Sequence, residues 1–147
     1  MSKPIQPPHS SEAEQAVLGA ILLSQKALDT AVEKLFASDF YAEKHRLIFR
    51  AACELNQKSE AVDAVSVAEW FSRNNLLDSV DGGAYVTMLA NETPGTANAI
   101  GYINIIRRKA MAREMIEQAM DAADDLYGGA DPQRPGRQDR REVQRRA

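Results

Sequence analysis

The 147 residues are 44% hydrophobic and 27% charged, the makeup of one soluble domain with enough apolar content to bury a core. The longest apolar run, Val17 to Leu23, is interrupted by Gly19 and far too short for a bilayer, and the first ten residues hold three Pro and no apolar stretch, so neither a membrane anchor nor a secretory leader is expected. The net charge of −3 is uneven: six of the 18 basic and two of the 21 acidic residues lie in 134–147, which puts that segment at +4 and the rest at −7, and an acidic body argues against broad phosphate-backbone binding outside the tail.

Residues 1–9 read as an extended lead, because Pro4, Pro7 and Pro8 block a helix. Ser11 and Glu14 have the spacing of a capping box, and Val17, Leu18, Ile21 and Leu22 follow at helical intervals, so a helix is expected over Ser11–Leu23. Ala27, Leu28, Ala31, Val32 and Leu35 mark a second helix. After the connection Ser38-Asp39-Phe40-Tyr41, Leu47, Ile48, Ala51, Ala52 and Leu55 mark a third, over Glu43–Gln57. Asp63 is placed to cap a fourth carrying Val67, Ala68, Trp70 and Phe71. Leu76-Leu77 and Asp81-Gly82-Gly83 lead to a short fifth, Ala84–Asn91, stopped by Thr93-Pro94-Gly95.

From Ala97 to Tyr127 no proline intervenes, and Ile103, Ile106, Ala110, Met111, Met115, Ala119 and Ala123 lie on or near one stripe. Such a helix is about 45 Å long, longer than a head of five short helices needs, so part of it is expected to project and meet a partner. Gly128-Gly129 supplies its end. No alternating β-branched run occurs. The expected fold is all-α: a compact head of about five short helices, then one long helix.

The residues of most catalytic chemistries are missing. No Gly-Lys dipeptide occurs, so the loop that cradles nucleotide phosphates is absent and nucleotide hydrolysis is not expected; CxxC and HExxH are absent as well. His9, in the lead, suits a surface or capping role, and His45, early in the third helix, a packing or surface one. Cys53 cannot form an internal disulfide; a buried, inert thiol in a reduced, cytoplasmic setting is expected. Glu12 and Glu14 suit the positive end of a helix, Asp124 and Asp125 a solvated face, and Gly82-Gly83 a turn, since no strand precedes them to make a phosphate nest. No catalytic, cofactor-binding or metal-ligating residue is assigned.

Four blocks carry a resemblance. They are Pro7-Pro8-His9-Ser10 with Glu12 to Gly19; Asp39-Phe40-Tyr41 with His45 and Ile48-Phe49; Leu76-Leu77 with Gly82-Gly83-Ala84-Tyr85; and Thr93-Pro94 with Ala97-Asn98-Ala99, Tyr102, Ile105 or Ile106 and Arg107. In this order they resemble the N-terminal domain of DnaB-type replicative DNA helicases over residues 7–130. The resemblance implies a helical head followed by a helical hairpin. It also implies that hairpins pair between subunits, that dimers assemble into a ring, and that this collar recruits primase and influences the helicase loader. ATP and Mg belong to the motor of the full-length family; no cofactor is expected for these residues. The expected division is a lead at 1–9, the collar domain at 10–130 and an Arg-rich, disordered tail at 131–147. Subunit or partner contact is expected at Ile103, Ile106, Met111 and Met115. Packing on the chain's own head is the alternative, and it weighs more on the first two than on the outlying methionines.

The tail departs from the family, which places an amphipathic second hairpin helix there. Gln133 to Ala147 contains Pro135, Gly136 and one aliphatic residue, Val143, too little for an apolar stripe. One reading is a basic arm contacting nucleic acid through Arg137, Arg140, Arg141, Arg145 and Arg146, which would make the chain a small DNA-binding or regulatory protein. The other is a frameshift near residue 133 that truncates a helicase: residues 134–147 admit codons whose next frame reads Asp-Leu-Val-Asp-Lys-Thr-Glu-Glu-Lys-Phe-Ser-Gly-Gly, the start of an amphipathic helix.

Overall fold

The computed structural model describes residues 5–133. The Arg-rich segment from Arg134 onward, with its expected nucleic-acid contacts and its shifted-frame reading, lies outside the described residues. Within them the chain is all-helical, as the periodicity anticipates: α1 (Ser11–Leu23), α2 (Gln25–Lys34), α3 (Glu43–Gln57), α4 (Ala64–Arg73), α5 (Ala84–Asn91) and α6 (Ala99–Tyr127). Short 3-10 stretches, Ala37–Asp39 and Leu77–Gly83, join α2 to α3 and α4 to α5.

The most buried helix is α1. Ala13, Val17, Leu18, Ala20, Ile21 and Leu22 are all buried, and α2, α3, α5 and α6 pack around them. A helix apolar on most of its circumference has to be enclosed in this way. Gly19 sets the closeness of one contact: a Cβ there would lie 2.5 Å from the Leu89 carbonyl oxygen and 2.7 Å from Thr93 Cβ, so α5 crosses α1 at backbone distance. Phe40, Phe49, Phe71, Leu28, Ile48 and Leu89 complete the core with Ile103 and Ile106 from α6.

The caps show where one helix hands over to the next. Ser24 N–H closes α1 on the Ala20 carbonyl (2.9 Å), while Ser24 Oγ accepts the Ala27 N–H (3.2 Å) and opens α2. Asp63 starts α4 as expected, in a reciprocal box with Ser66: Ser66 N–H donates to Asp63 Oδ1 (2.8 Å) and Asp63 N–H to Ser66 Oγ (2.9 Å). At α1 the expectation fails by one residue. Ser10, not Ser11, is the cap, accepting the Ala13 N–H at 3.2 Å. Glu14 takes no part in a box; it points into the head, where it finds several donors.

Before α5, Asp81, Gly82 and Gly83 all have positive φ (53°, 69° and 97°), the tight turn expected of the paired glycines. Cys53 is half-buried; burial first, and then the neighbouring Glu54 charge, push its thiol pKa up to about 11, so it is inert.

Candidate subunit interface

Two polar joints fix the head before the long helix leaves it. The first is built on Glu14 of α1. Its Oε2 accepts the Tyr41 N–H at 2.7 Å, and its Oε1 lies 3.4 Å from the Ala42 nitrogen and 2.7 Å from His45 Nδ1. His45 Nε2 lies 2.6 Å from Tyr85 Oη, and Lys44 Nζ sits 3.7 Å over the Tyr85 ring. Ala42 is the N-cap of α3 and has no polar side chain, so the carboxylate of α1 serves that helix end instead. Burial pushes the Glu14 carboxyl up, but the His45 hydrogen bond, the Tyr41 N–H and the other partners outweigh it and hold the pKa below the ordinary value. The line carboxylate–imidazole–phenol ends on a Tyr85 hydroxyl whose pKa burial raises, the wrong direction for an activated nucleophile. This joint staples α1, α3 and α5 together.

The second joint holds α6. Arg113 Nη1 donates to the Pro8 carbonyl (2.7 Å) and its Nη2 to the Asp39 carbonyl (2.6 Å), while Arg107 Nη1 lies 3.8 Å from the buried Asp39 carboxylate. His9 stacks on Tyr41 with centroids 4.0 Å apart, so the lead is strapped across the base of α6. Among the described residues no cluster of three metal-ligating side chains occurs, and no helix is long and apolar enough to cross a membrane.

The long helix divides at Ala110. On the head side Ala99, Ile103, Ile106 and Ala110 are buried against α1 and α2; beyond Ala110 α6 buries no further residue. The four expected contact residues therefore separate. Ile103 and Ile106 are 1% and 2% exposed and belong to the head's own core, because they fall on the side of α6 that faces α1. Met111 and Met115 are 46% and 68% exposed. Ile116, Met120, Leu126 and Tyr127 extend the exposed apolar surface to the helix end. Sequence reading missed these four because it followed one stripe from Ile103; the apolar side turns around the helix axis once the head is left behind. At about 100° per residue, Met111, Met115, Ile116, Ala119, Met120, Ala123, Leu126 and Tyr127 occupy one half of the circumference.

Comparison with known proteins agrees with this architecture. Residues 6–108 match the family described as DnaB-like helicase N terminal domain. The chain is 40% identical over 121 residues to the replicative DNA helicase DnaB of Haemophilus influenzae, a match covering 82% of this chain and 26% of that protein. It is 41% identical over 121 residues to the replicative DNA helicase DnaC of Bacillus subtilis, covering 82% of this chain and 27% of that one. The chain thus spans about a quarter of the length of the curated relatives it matches. The crystal structure of the N-terminal domain of DnaB helicase from Mycobacterium tuberculosis superposes with a TM-score of 0.82 at 36% identity, covering 84% of this chain and 89% of that one. The chain belongs to the family of DnaB-like helicase N-terminal domains.

Proposed function

We propose that the chain is a collar module of a replicative DNA helicase, and that it assembles with a second copy of itself through the distal half of α6. The carrying observation is the set of large apolar side chains, from Met111 to Tyr127, left exposed on a helix that buries no residue beyond Ala110 and is tied to the head at Arg113. Exposed apolar surface of this extent on a small domain marks an association site. Methionine suits it, because an unbranched thioether adapts to an imperfect partner surface. The rigid head, stapled at Glu14–His45–Tyr85 and strapped at Arg113, gives the projecting helix a fixed base.

The wider role is inferred from family membership. Ring assembly, primase recruitment, a helicase-loader contact and a cytoplasmic setting in DNA replication are part of the proposal. ATP-driven unwinding is assigned to the remainder of the longer relatives and not to these residues. Native mass spectrometry over a range of concentrations tests the reading. Dimers and higher even-numbered assemblies are expected; the monomer mass alone at every concentration would refute self-assembly while leaving the fold intact.

A further inference from the structure

The lead and the distal half of α6 are both lightly held, and one side chain joins them. Among residues 5–10 none is buried: Ile5, Gln6 and Pro7 are exposed, and Pro8, His9 and Ser10 are half-buried. Pro7 and Pro8 have no N–H to donate, and the Pro7 carbonyl accepts the His9 Nδ1–H within the lead itself, at 2.8 Å. Ahead of the Ser10 cap the lead is held by the Pro8 carbonyl on Arg113 Nη1 (2.7 Å) and by the His9 ring on Tyr41, with centroids 4.0 Å and planes 14° apart. On its side, α6 buries no residue beyond Ala110 and is tied to the head at Arg113.

The posts that these two parts grip are fixed. Tyr41 donates its N–H to Glu14 Oε2 and accepts Arg46 Nη1 on its carbonyl, both at 2.7 Å. Asp39 is fully buried, its Oδ2 accepts the Phe36 N–H at 2.8 Å, and its carbonyl accepts Arg113 Nη2 at 2.6 Å. Arg113 therefore spans a fixed acceptor, Asp39, and a movable one, Pro8, and its Cζ lies 5.5 Å from the ring on which His9 stacks. A planar fork bonded to two carbonyls has its plane set; bonded to one, it can turn. A segment with few buried contacts opens locally without unfolding the rest.

We infer that the lead is a releasable latch on α6: His9 on Tyr41 is its catch, Pro8 holds Arg113, and opening it loosens α6 around Arg113 while the head stays folded. The coupling runs both ways. Whatever fixes α6 beyond Ala110 closes the lead, and whatever draws the lead away loosens α6. The latch does not depend on the pairing proposed above. Where copies do pair, it sets how steadily the apolar side of α6 is held out.

Backbone relaxation and amide exchange on the full chain, diluted until monomeric, test the inference apart from any pairing. His9→Ala should mobilise residues 9–10. It should also quicken exchange over 111–117, whose helical bonds run to carbonyls 107–113, by about fivefold, the factor expected for a lost ring stack. Exchange over 43–57 in α3 should not change. His9→Phe keeps a ring on Tyr41 and should leave both segments as they are. Arg113→Lys should act from the other end, quickening 111–117 and mobilising His9. Exchange over 111–117 that stays unchanged while residues 9–10 loosen would overturn the latch, as would a lead that does not loosen in His9→Ala. Equal quickening in α3 would also overturn it, because His9 would then act on the whole fold, and His9→Phe as loose as His9→Ala would rule out the stack as the catch.

Discussion

Glu14 Oε1 lies 2.7 Å from His45 Nδ1, and this contact joins α1 to α3 inside the head. The carboxylate is stabilised by its donors, so its pKa lies below the ordinary 4.5. A depressed carboxyl contributes its full stability above the unfolded-state value and loses it as pH falls through the folded one. Glu14's contribution should therefore be level above 4.5 and decline on acidification below it. Glu14→Gln should flatten that decline and cost about 3 kcal/mol at pH 7, since it leaves His45 and the Tyr41 N–H poorly matched in the interior. Urea unfolding across pH reads both effects; an unchanged midpoint for Glu14→Gln would show that the joint does not hold the head.

Gly19 and Gly101 are both helical glycines with opposite prospects. Gly19→Val forces a side chain onto the Leu89 carbonyl and Thr93, and should cost about 1–3 kcal/mol or more by separating α1 from α5. Gly101→Ala meets only the Asn98 side chain, at 3.1 Å from its Oδ1, which can turn aside. It should stabilise α6 by up to about 1 kcal/mol. Thermal unfolding of the two variants should move in opposite directions.

Arg113→Ala should release the lead. It removes the donors to the Pro8 and Asp39 carbonyls and the cation lying 5.5 Å from the Tyr41 ring. The expected loss is about 1–3 kcal/mol, with faster proteolysis near Pro8. Arg113→Lys should restore only part of it, because one ammonium does not match the planar fork that reaches both carbonyls.

Ile106→Ala should cost about 2–5 kcal/mol of folding stability, whereas Met115→Ala should change it by less than about 0.5 kcal/mol. The pair separates core from exposed surface on one helix, and chemical denaturation distinguishes them.

Much of the fold was legible because the periodicity is local. The bounds of α1, α3 and α5 and the Asp63 cap follow from residues within a few positions of one another. The cap of α1 was misjudged because Glu14 has a better use thirty-one residues away, at His45. Nothing in the Ser11–Glu14 spacing reveals that partner. Which residues of α6 are exposed was half legible. Ile103, Ile106, Met111 and Met115 were read on or near one stripe, but at about 100° per residue Met115 lies opposite Ile106, and which of them meet α1 depends on how α6 seats on the head. That seating is fixed by the Arg113 strap and by Asp39, a tertiary arrangement with no periodic signature.

Sedimentation equilibrium of the chain beside M111E/M115E/M120E decides whether the distal apolar side of α6 joins two copies. Reversible dimerisation by the unsubstituted chain is expected. The triple variant should retain its helical content and associate at least about tenfold more weakly, a loss of about 1.4 kcal/mol. A chain that stays monomeric at its solubility limit, or a variant that associates as strongly as the original, would rule out pairing through this side of α6.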